Sequence, residues 1–171
     1  REVRINGRTG IATIVVTDKA NDLALLEVPG NIDSSATIGN TPEKLRQGEE
    51  IVVFGYPLNS LLSSGGNLTP GVISALTGLG NNINQIQITA PIQPGSSGSP
   101  VLNNKSEVVA VVSMKLDDIK MVKATGGVGQ NVNFAISGQT LRAFLDKHNV
   151  AYHSGNLFNI VSKSSADLAD E

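Results

Sequence analysis

Short apolar runs separated by turn residues dominate the chain. The runs are rich in Val, Ile and Thr, and the breaks between them carry Gly or Asn, as at Asn6-Gly7 and Gly80-Asn81. Many short runs of this kind are typical of an all-β sandwich or barrel. The predicted strands are Glu2–Asn6, Gly10–Val16, Ala24–Val28, Glu50–Phe54, Thr69–Leu76, Gln85–Ile88, Val108–Met114 and Val132–Ala135.

One segment has the period of an amphipathic helix. Between Gln139 and His148, apolar residues recur at i, i+3 and i+4, and His148 continues that face at i+7. Ser137 is a suitable N-cap and Asn149 a suitable stop, so the pattern predicts one helix here. Residues 154–171 are polar and lack this period, which is typical of a tail or of a linker to a further domain.

The composition argues against several classes of protein. The 171 residues carry 13 basic and 15 acidic side chains, a balance that disfavours nucleic acid as the main partner. The absence of cysteine excludes a disulfide scaffold and a thiol nucleophile, and two histidines cannot make a histidine-rich metal site. No apolar run reaches the roughly 18 residues of a membrane span. We expect one globular domain, or part of a slightly larger one, without a cofactor.

A glycine- and serine-rich segment, Gln93-Pro94-Gly95-Ser96-Ser97-Gly98-Ser99-Pro100, lies between two apolar runs. Such a composition is most often a flexible loop, but strand-like sequence encloses this one on both sides. Its pattern, Gly-x-Ser-Gly-x-Pro, suits acyl transfer. A serine on a tight turn next to glycine is accessible, and neighbouring backbone N–H groups can face a developing oxyanion. Ser97 is therefore a candidate nucleophile.

A second candidate, Asp22, opens the apolar run Leu23–Val28. An Asp at a turn before a strand is common and often has no role in chemistry. A serine nucleophile, however, needs a general base, and the base needs a carboxylate that fixes its tautomer and stabilises its charged form. We expect an Asp at the edge of a buried strand to be held rigidly and shielded from water.

Two motifs in this order, Asp22-Leu-Ala-Leu and Gly95-Ser-Ser97-Gly-Ser-Pro100, resemble the trypsin-like serine proteases, and most closely their cysteine-free bacterial HtrA/Deg-like branch. The resemblance implies an all-β fold, a chymotrypsin-like double β-barrel with the active site between the barrels. Further stretches that resemble this branch are Leu45–Glu49, Val52–Pro57, Thr69–Leu76, Glu107–Val112 and Asn133–Ile136.

The resemblance also implies an organisation of the chain. Residues 1–44 would be the remnant of an incomplete N-terminal barrel that carries the Asp, and residues 45–136 the C-terminal barrel that carries the Ser. Residues 137–149 would form the C-terminal helix and residues 150–171 a polar tail or linker. A further domain after residue 171 and a location in the bacterial periplasm, in the cell envelope or outside the cell are expected.

Individual residues take roles from the same resemblance. Ser97 would be the nucleophile, Asp22 the acid that orients the base, and the backbone N–H groups of Gly95 and Ser97 the oxyanion hole. A polypeptide substrate would pair with the chain as an added strand. With no acid at the base of the pocket, we expect small or medium apolar side chains there. The implied substrate-binding residues are Ile92, Val112, Ser113 and Met114.

The sequence departs from the family's pattern at three places. The family's histidine base precedes the Asp, but no histidine precedes Asp22, and the expected position falls just upstream of Arg1. Ser96 replaces the usual Asn or Asp, and Ser99 replaces the usual Gly. We therefore expect a serine endopeptidase whose base lies outside this chain, which alone is inactive. The alternative is a catalytically inactive, peptide-binding pseudoprotease of the same fold.

Two other interpretations have less support. An α/β-hydrolase has the order Ser…Asp…His, which Asp117 or Asp118 with His148 or His153 could meet, but its nucleophile elbow needs Gly where Ser99 stands. We expect His148 to pack partly against the barrel and His153 to be exposed. The other interpretation is a structural β-domain in which the Gly/Ser loop has no function.

Overall fold

The computed structural model describes residues 2–5, 8–30, 32, 34–39, 45–56, 66–113 and 132–155. In these segments the chain is mostly β-structure, with one α-helix, α1 (Gly138–Lys147), and a short 3-10 turn at Leu79–Asn81. The strands are β1 (Glu2–Ile5), β2 (Arg8–Ile11), β3 (Thr13–Asp18), β4 (Leu23–Glu27), β5 (Thr37–Ile38), β6 (Glu50–Gly55), β7 (Asn67–Ala75), β8 (Gln85–Ile88), β9 (Pro100–Leu102), β10 (Val108–Ser113), β11 (Asn133–Ser137) and β12 (His153–Ser154).

Strands β6 to β11 close into a barrel. Their hydrogen-bonded order is β11-β8-β7-β6-β9-β10, and β10 pairs back onto β11. All of these pairs are antiparallel. The strands are rich in β-branched residues, which fit a pleated and buried surface. The barrel core consists of Ile51, Val53, Ile73, Ile86, Ile88, Ala90, Val101, Val109, Ala110, Val112 and Ala135.

The four N-terminal strands form two separate antiparallel hairpins, β1 with β2 and β3 with β4. The predicted strand Gly10–Val16 is divided between β2 and β3 at the buried Ala12. The register of β3 against β4 shifts between Ile14 and Val16, so a β-bulge leaves Val15 without a partner in β4.

Helix α1 agrees with the predicted helix to within one residue at each end. Ser137 is the N-cap, as predicted, and its hydroxyl oxygen accepts a hydrogen bond from the backbone N–H of Thr140 at 3.2 Å. His148 is the C-cap, and its ring lies edge-on to that of Phe144 with the centroids 4.9 Å apart. His148 is thus half-buried against a residue of its own helix, and its packing against the barrel stays a prediction.

Phe144 joins the hairpin β3–β4 to the barrel. It is buried and packs with Leu23 of β4 and Ile136 of β11. Ala135 belongs to the barrel core, so its neighbour Ile136 points outward, toward the helix. The partly buried residues around this second apolar cluster are Val16, Leu25, Leu141 and Leu145. The cluster holds the hairpin against the outside of the barrel.

Two short strands lie beside the barrel. β5 pairs in parallel with β10 and also with β12, which follows the helix. Arg142 of α1 donates a hydrogen bond to the carbonyl oxygen of Gly39, just after β5. The sequence pattern does not predict β5, β9 or β12, because two or three residues are too few to show an alternation. None of the helices in the described segments is long and apolar enough to cross a bilayer.

Candidate active site

The candidate nucleophile, Ser97, lies between β8 and β9 in residues 93–99, called here the nucleophile loop. The loop consists of two consecutive turns, Gln93–Ser96 and Ser96–Ser99. In each turn the N–H of the last residue donates to the carbonyl oxygen of the first at 3.0 Å. These hydrogen bonds give the serine-rich segment a defined backbone, in contrast to a flexible linker of the same composition.

Two glycines explain the shape of these turns. Gly95 and Gly98 stand at the third positions of the two turns, with φ of 99° and 87°. A positive φ at this position defines a type II turn and favours glycine. Among the backbone hydrogen bonds of the described segments, none uses the N–H of Gly95 or of Ser97. Both residues are exposed, so these donors are accessible to a carbonyl oxygen.

The two serines of the loop that differ from the family's pattern are both buried. Ser96 is 5% exposed and Ser99 is 9% exposed. The side chain of Ser99 lies over Gly55 at the end of β6, where a Cβ atom would collide with the serine hydroxyl. Both turns keep their closing hydrogen bonds, so neither serine disrupts the loop.

Asp22 follows the tight turn between β3 and β4. Its φ of 57° lies in the left-handed region, which Asp tolerates better than most residues. The next residue, Leu23, is buried in the second apolar cluster and anchors the start of β4. Asp22 itself is exposed, so the expectation that it is shielded from water is wrong for this structure. The reason is that β4 is not a buried strand, since Leu23 alone of its five residues is buried.

The end of β10 connects Asp22 to the nucleophile loop. The hydroxyl of Ser113 donates a hydrogen bond to Oδ2 of Asp22 at 2.7 Å. The preceding residue, Val112, accepts from the N–H of Gly98 and donates to the carbonyl oxygen of Ser99, both at 2.9 Å. Adjacent residues of one strand therefore hold the carboxylate and the nucleophile loop.

Sequence reasoning misses this role of Ser113. It predicts Ser113 as a substrate-binding residue, but nothing in the local sequence indicates that its hydroxyl binds Asp22. The two residues are 91 positions apart, and only the closed fold brings them together. Ser113 is also buried, at 5% exposure, which shields this hydrogen bond from competition with water.

The other predicted substrate-binding residues lie in different surroundings. Ile92 is half-buried and packs against the barrel core just before the nucleophile loop. Val112 is buried and its N–H already donates to that loop, so within the described part of β10 a substrate strand could meet only its last residue, Ser113. Met114 lies outside the described residues. The substrate-binding roles stay predictions.

Both histidines come after α1 in the chain. His148 caps the helix and His153 is an exposed residue of β12, as expected. Among the hydrogen bonds between described residues, none joins either histidine to Asp22 or Ser97. The acids of the α/β-hydrolase alternative, at positions 117 and 118, lie outside the described residues. The antiparallel barrel with its single described helix lacks the alternating strands and helices of that fold.

The described residues contain no group of three or more His, Asp or Glu side chains arranged to hold a metal ion.

Comparison with known proteins identifies the family. Residues 1–111 match the model of the trypsin-like peptidase domain. The chain belongs to the trypsin-like peptidase family. This membership confirms the resemblance drawn from the motifs around Asp22 and Ser97, and its relatives include HtrA- and Do-like serine proteases.

Several relatives of this trypsin-like peptidase chain match most of its length. The serine protease Do-like HtrB of Bacillus subtilis is 33% identical over 83% of the chain, and the mitochondrial serine protease HTRA2 of Drosophila virilis is 34% identical over 92%. The uncharacterized protein y4bJ of Sinorhizobium fredii is 44% identical over 99%. The chain spans only 31%, 35% and 26% of these three proteins.

The fold has a solved counterpart. The crystal structure of the serine endoprotease from Yersinia pestis superimposes with a TM-score of 0.64 and 27% sequence identity. The match covers 83% of this chain and 45% of the other. In its described residues the trypsin-like peptidase chain is thus mostly β-structure, with one closed barrel and a C-terminal helix.

Proposed function

We propose that this chain supplies the nucleophile, the oxyanion donors and the orienting acid of a serine endopeptidase. The observation that carries the proposal is the end of β10, where Ser113 binds Asp22 and Val112 binds the nucleophile loop. A nucleophile and the acid behind its base must be held in one rigid frame, because small errors in their geometry are costly to the rate. One strand end provides that frame.

The proposed reaction is an acyl transfer in two halves. The hydroxyl oxygen of Ser97 attacks the carbonyl carbon of a peptide bond while its proton passes to a base. The carbonyl oxygen becomes negative and accepts hydrogen bonds from the N–H groups of Gly95 and Ser97. The C–N bond breaks as the base returns the proton to the leaving amine. A water molecule then attacks the acyl-enzyme in the same way, which releases the new carboxyl group and restores Ser97.

The base in this proposal is a histidine from a segment that precedes Arg1 in the longer protein. Ser113 binds Oδ2 of Asp22 and leaves Oδ1 without a partner among the described residues. Asp22 is also exposed. An ionised carboxylate accepts several hydrogen bonds, so an imidazole N–H can bind Oδ1 while Ser113 keeps Oδ2. The chain alone would lack the base and would be inactive.

The hairpins β1–β2 and β3–β4 are proposed to belong to an N-terminal barrel that further strands complete. Ile11, Ile14 and Val15 are 68%, 51% and 56% exposed. Large apolar side chains on a hairpin with an unpaired edge are a liability unless another element covers them. The proposed units are 1–44 for this barrel, 45–136 for the closed barrel, 137–149 for the helix and 150–171 for the polar tail or linker.

The substrate is proposed to be a polypeptide that pairs with the chain at the end of β10, at Ser113. Extended peptides bind exposed strand edges through backbone hydrogen bonds, while pockets for single side chains give specificity. Ile92 continues the apolar core up to the nucleophile loop. An apolar wall at this position favours a small or medium apolar side chain before the scissile bond.

Peptidase assays on the full-length protein, with an unfolded protein as substrate, test the proposal. We expect Ser97→Ala to lower kcat by up to about 10⁶-fold. Asp22→Asn should lower it by about 10⁴-fold, because the base then adopts the wrong tautomer. Ser154→Ala, which changes an exposed serine in β12, is the control and should leave turnover unchanged. Wild-type turnover in Ser97→Ala would contradict the proposal.

A peptide-binding pseudoprotease is the second candidate. The observation that favours it is that neither histidine of this chain reaches Asp22 among the described hydrogen bonds. This candidate predicts that the full-length protein binds unfolded polypeptides without cleaving them, and that Ser97→Ala leaves the affinity unchanged. Removal of a single triad member still leaves about 10³–10⁴-fold acceleration over water, so the assay must compare rates rather than detect cleavage.

A further inference from the structure

The turn before Asp22 is organised by another acid, Asp18. Its Oδ1 accepts hydrogen bonds from the backbone N–H groups of Ala20 at 3.0 Å and Asn21 at 3.1 Å. Its Oδ2 accepts from the side-chain amide of Asn21 at 2.8 Å. Both carboxylate oxygens are therefore used within the turn, and two of the three donors belong to the residue directly before Asp22.

Packing supports this turn on one side only. Leu23 fixes the start of β4 in the second apolar cluster. Between the turn and α1, however, lies a cleft of about 350 Å³, lined by Asp18, Asn21, Asn84, Thr140, Phe144 and Lys147. Side chains that border a cleft lack close neighbours there, and their positions depend more on hydrogen bonds. The Asp18 carboxylate supplies those hydrogen bonds.

We propose that Asp18 is a positioning residue for Asp22: by fixing Asn21, it sets the left-handed backbone that presents the Asp22 carboxylate to Ser113 and to the base. The proposal rests on the peptidase function proposed above. Asp22 has a φ of 57°, a left-handed conformation that Asp tolerates better than most residues but that still carries a cost, so hydrogen bonds around it help to keep it. Ser113 holds the carboxylate of Asp22, and Asp18 holds the backbone that leads into it.

The charge of Asp18 suits this role. The side-chain hydrogen bond from Asn21, followed by the backbone hydrogen bond from the same residue, lowers the pKa of Asp18 below its ordinary value of 3.8. Lys147 on the far side of the cleft lowers the pKa further. The carboxylate is ionised at neutral pH, and hydrogen bonds to an ionised acceptor are stronger than those between neutral groups.

The test uses the full-length protein with three variants. Asp18→Ala removes both acceptors, while Asp18→Asn keeps one carbonyl oxygen for the backbone N–H groups. Lys19→Ala changes an exposed side chain in the same turn and serves as the control. The measurements are kcat, KM and the pH dependence of kcat/KM, all taken well below the unfolding temperature of each variant.

Asp18→Ala is expected to lower kcat by about 10- to 100-fold, the cost of a misplacement of about 1 Å in an active site. KM should change by less than about twofold, because Asp22 acts in the chemical step and not in binding. The acid limb of kcat/KM should move to lower pH, because a displaced carboxylate stabilises the protonated base less. Asp18→Asn should be intermediate, and Lys19→Ala should behave as the wild type.

The possible outcomes distinguish the role of Asp18 from the proposed peptidase function. Unchanged kcat and an unchanged acid limb in Asp18→Ala, with an active wild type, would overturn the role of Asp18 and leave the peptidase proposal standing. An inactive wild type would overturn the peptidase function, and the positioning role with it. If Asp18→Ala does not fold, Asp18→Asn decides: a wild-type kcat and pH profile would contradict the proposal.

Discussion

The closed barrel and the hairpin β3–β4 have similar residues but are stabilised differently. In the barrel every strand is paired on both sides, and Ile73, Ile88 and Val101 are 0% exposed. In the hairpin, β3 pairs with one strand among those described, and Ile14 and Val15 remain 51% and 56% exposed. β-branched residues favour a strand in both regions, but the number of neighbouring strands decides whether they form a core.

The two candidate catalytic residues therefore lie in regions that are stabilised differently. Ser97 belongs to the barrel, which contains its own core. Asp22 belongs to the hairpin, which depends on Phe144 and on the hydrogen bond from Ser113 for its position. A change at the junction should therefore disturb Asp22 more than Ser97.

Phe144→Ala should have the largest effect on stability. Truncation of a buried Phe costs about 3–5 kcal/mol of the free energy of unfolding. Because Phe144 joins the two regions, hydrogen exchange of the β3–β4 amides should rise more than that of the barrel amides. Ile83→Ala, at a residue that is 78% exposed, is the control. Equal increases in exchange in both regions would contradict the role of Phe144 as the junction.

Ile73→Ala and Ile14→Ala compare the two regions directly. Ile73 is fully buried, so its truncation should reduce the free energy of unfolding by about 2–5 kcal/mol. Ile14 is half-exposed, and the same change there should have an effect within about 0.5 kcal/mol. Urea denaturation of the chain measures both. Similar losses would mean that the hairpin has a core of its own.

Ser137→Ala should weaken the start of α1. The Ser137 hydroxyl caps the N–H of Thr140, and the loss of such a cap costs about 1 kcal/mol. Thermal unfolding measures the loss, and Gln139→Ala, at an exposed position in the same helical turn, is the control. Equal stability of Ser137→Ala and the wild type would show that the cap contributes nothing.

The smallest expected effect is a pH dependence from Asp18. A carboxyl group whose pKa is lowered in the folded state stabilises the fold above its ordinary value of 3.8. That stabilisation is lost as the pH falls through the lowered pKa. Lys147 is the charged group that faces Asp18 across the cleft. Asp18→Asn should therefore flatten the decrease in stability below about pH 4, whereas Lys19→Ala should keep it. An unchanged slope in Asp18→Asn would contradict this account.

Local patterns in the sequence predict most of the regular elements. Val, Ile and Thr runs predict the barrel strands, except for β9, and the spacing of Leu141, Phe144 and Leu145 predicts α1. The pairing of β5 with β10 and β12 has no local signal, because it depends on contacts between distant segments. The interruption between β2 and β3 at Ala12 is also not predicted, since the apolar run continues through this residue.

The candidate site likewise has some features that the local sequence predicts and others that it does not. The sequence predicts a tight turn beside glycine at Ser97, and the two turns found there depend on the local glycines Gly95 and Gly98. The exposure of Asp22 does not follow from its neighbours, because it depends on which elements cover β4. The hydrogen bond from Ser113 to Asp22 depends on the barrel and the hairpin meeting at one strand end. Long-range contacts of this kind require the structure.

The most direct test of a single acyl-transfer site is active-site labelling. The full-length protein is treated with a fluorophosphonate, and the modified peptide is identified by mass spectrometry. The account predicts one adduct, on Ser97, formed more slowly in Ser113→Ala and in Asp22→Asn because both changes disturb the acid behind the base. No adduct, or an adduct on another serine, would contradict it.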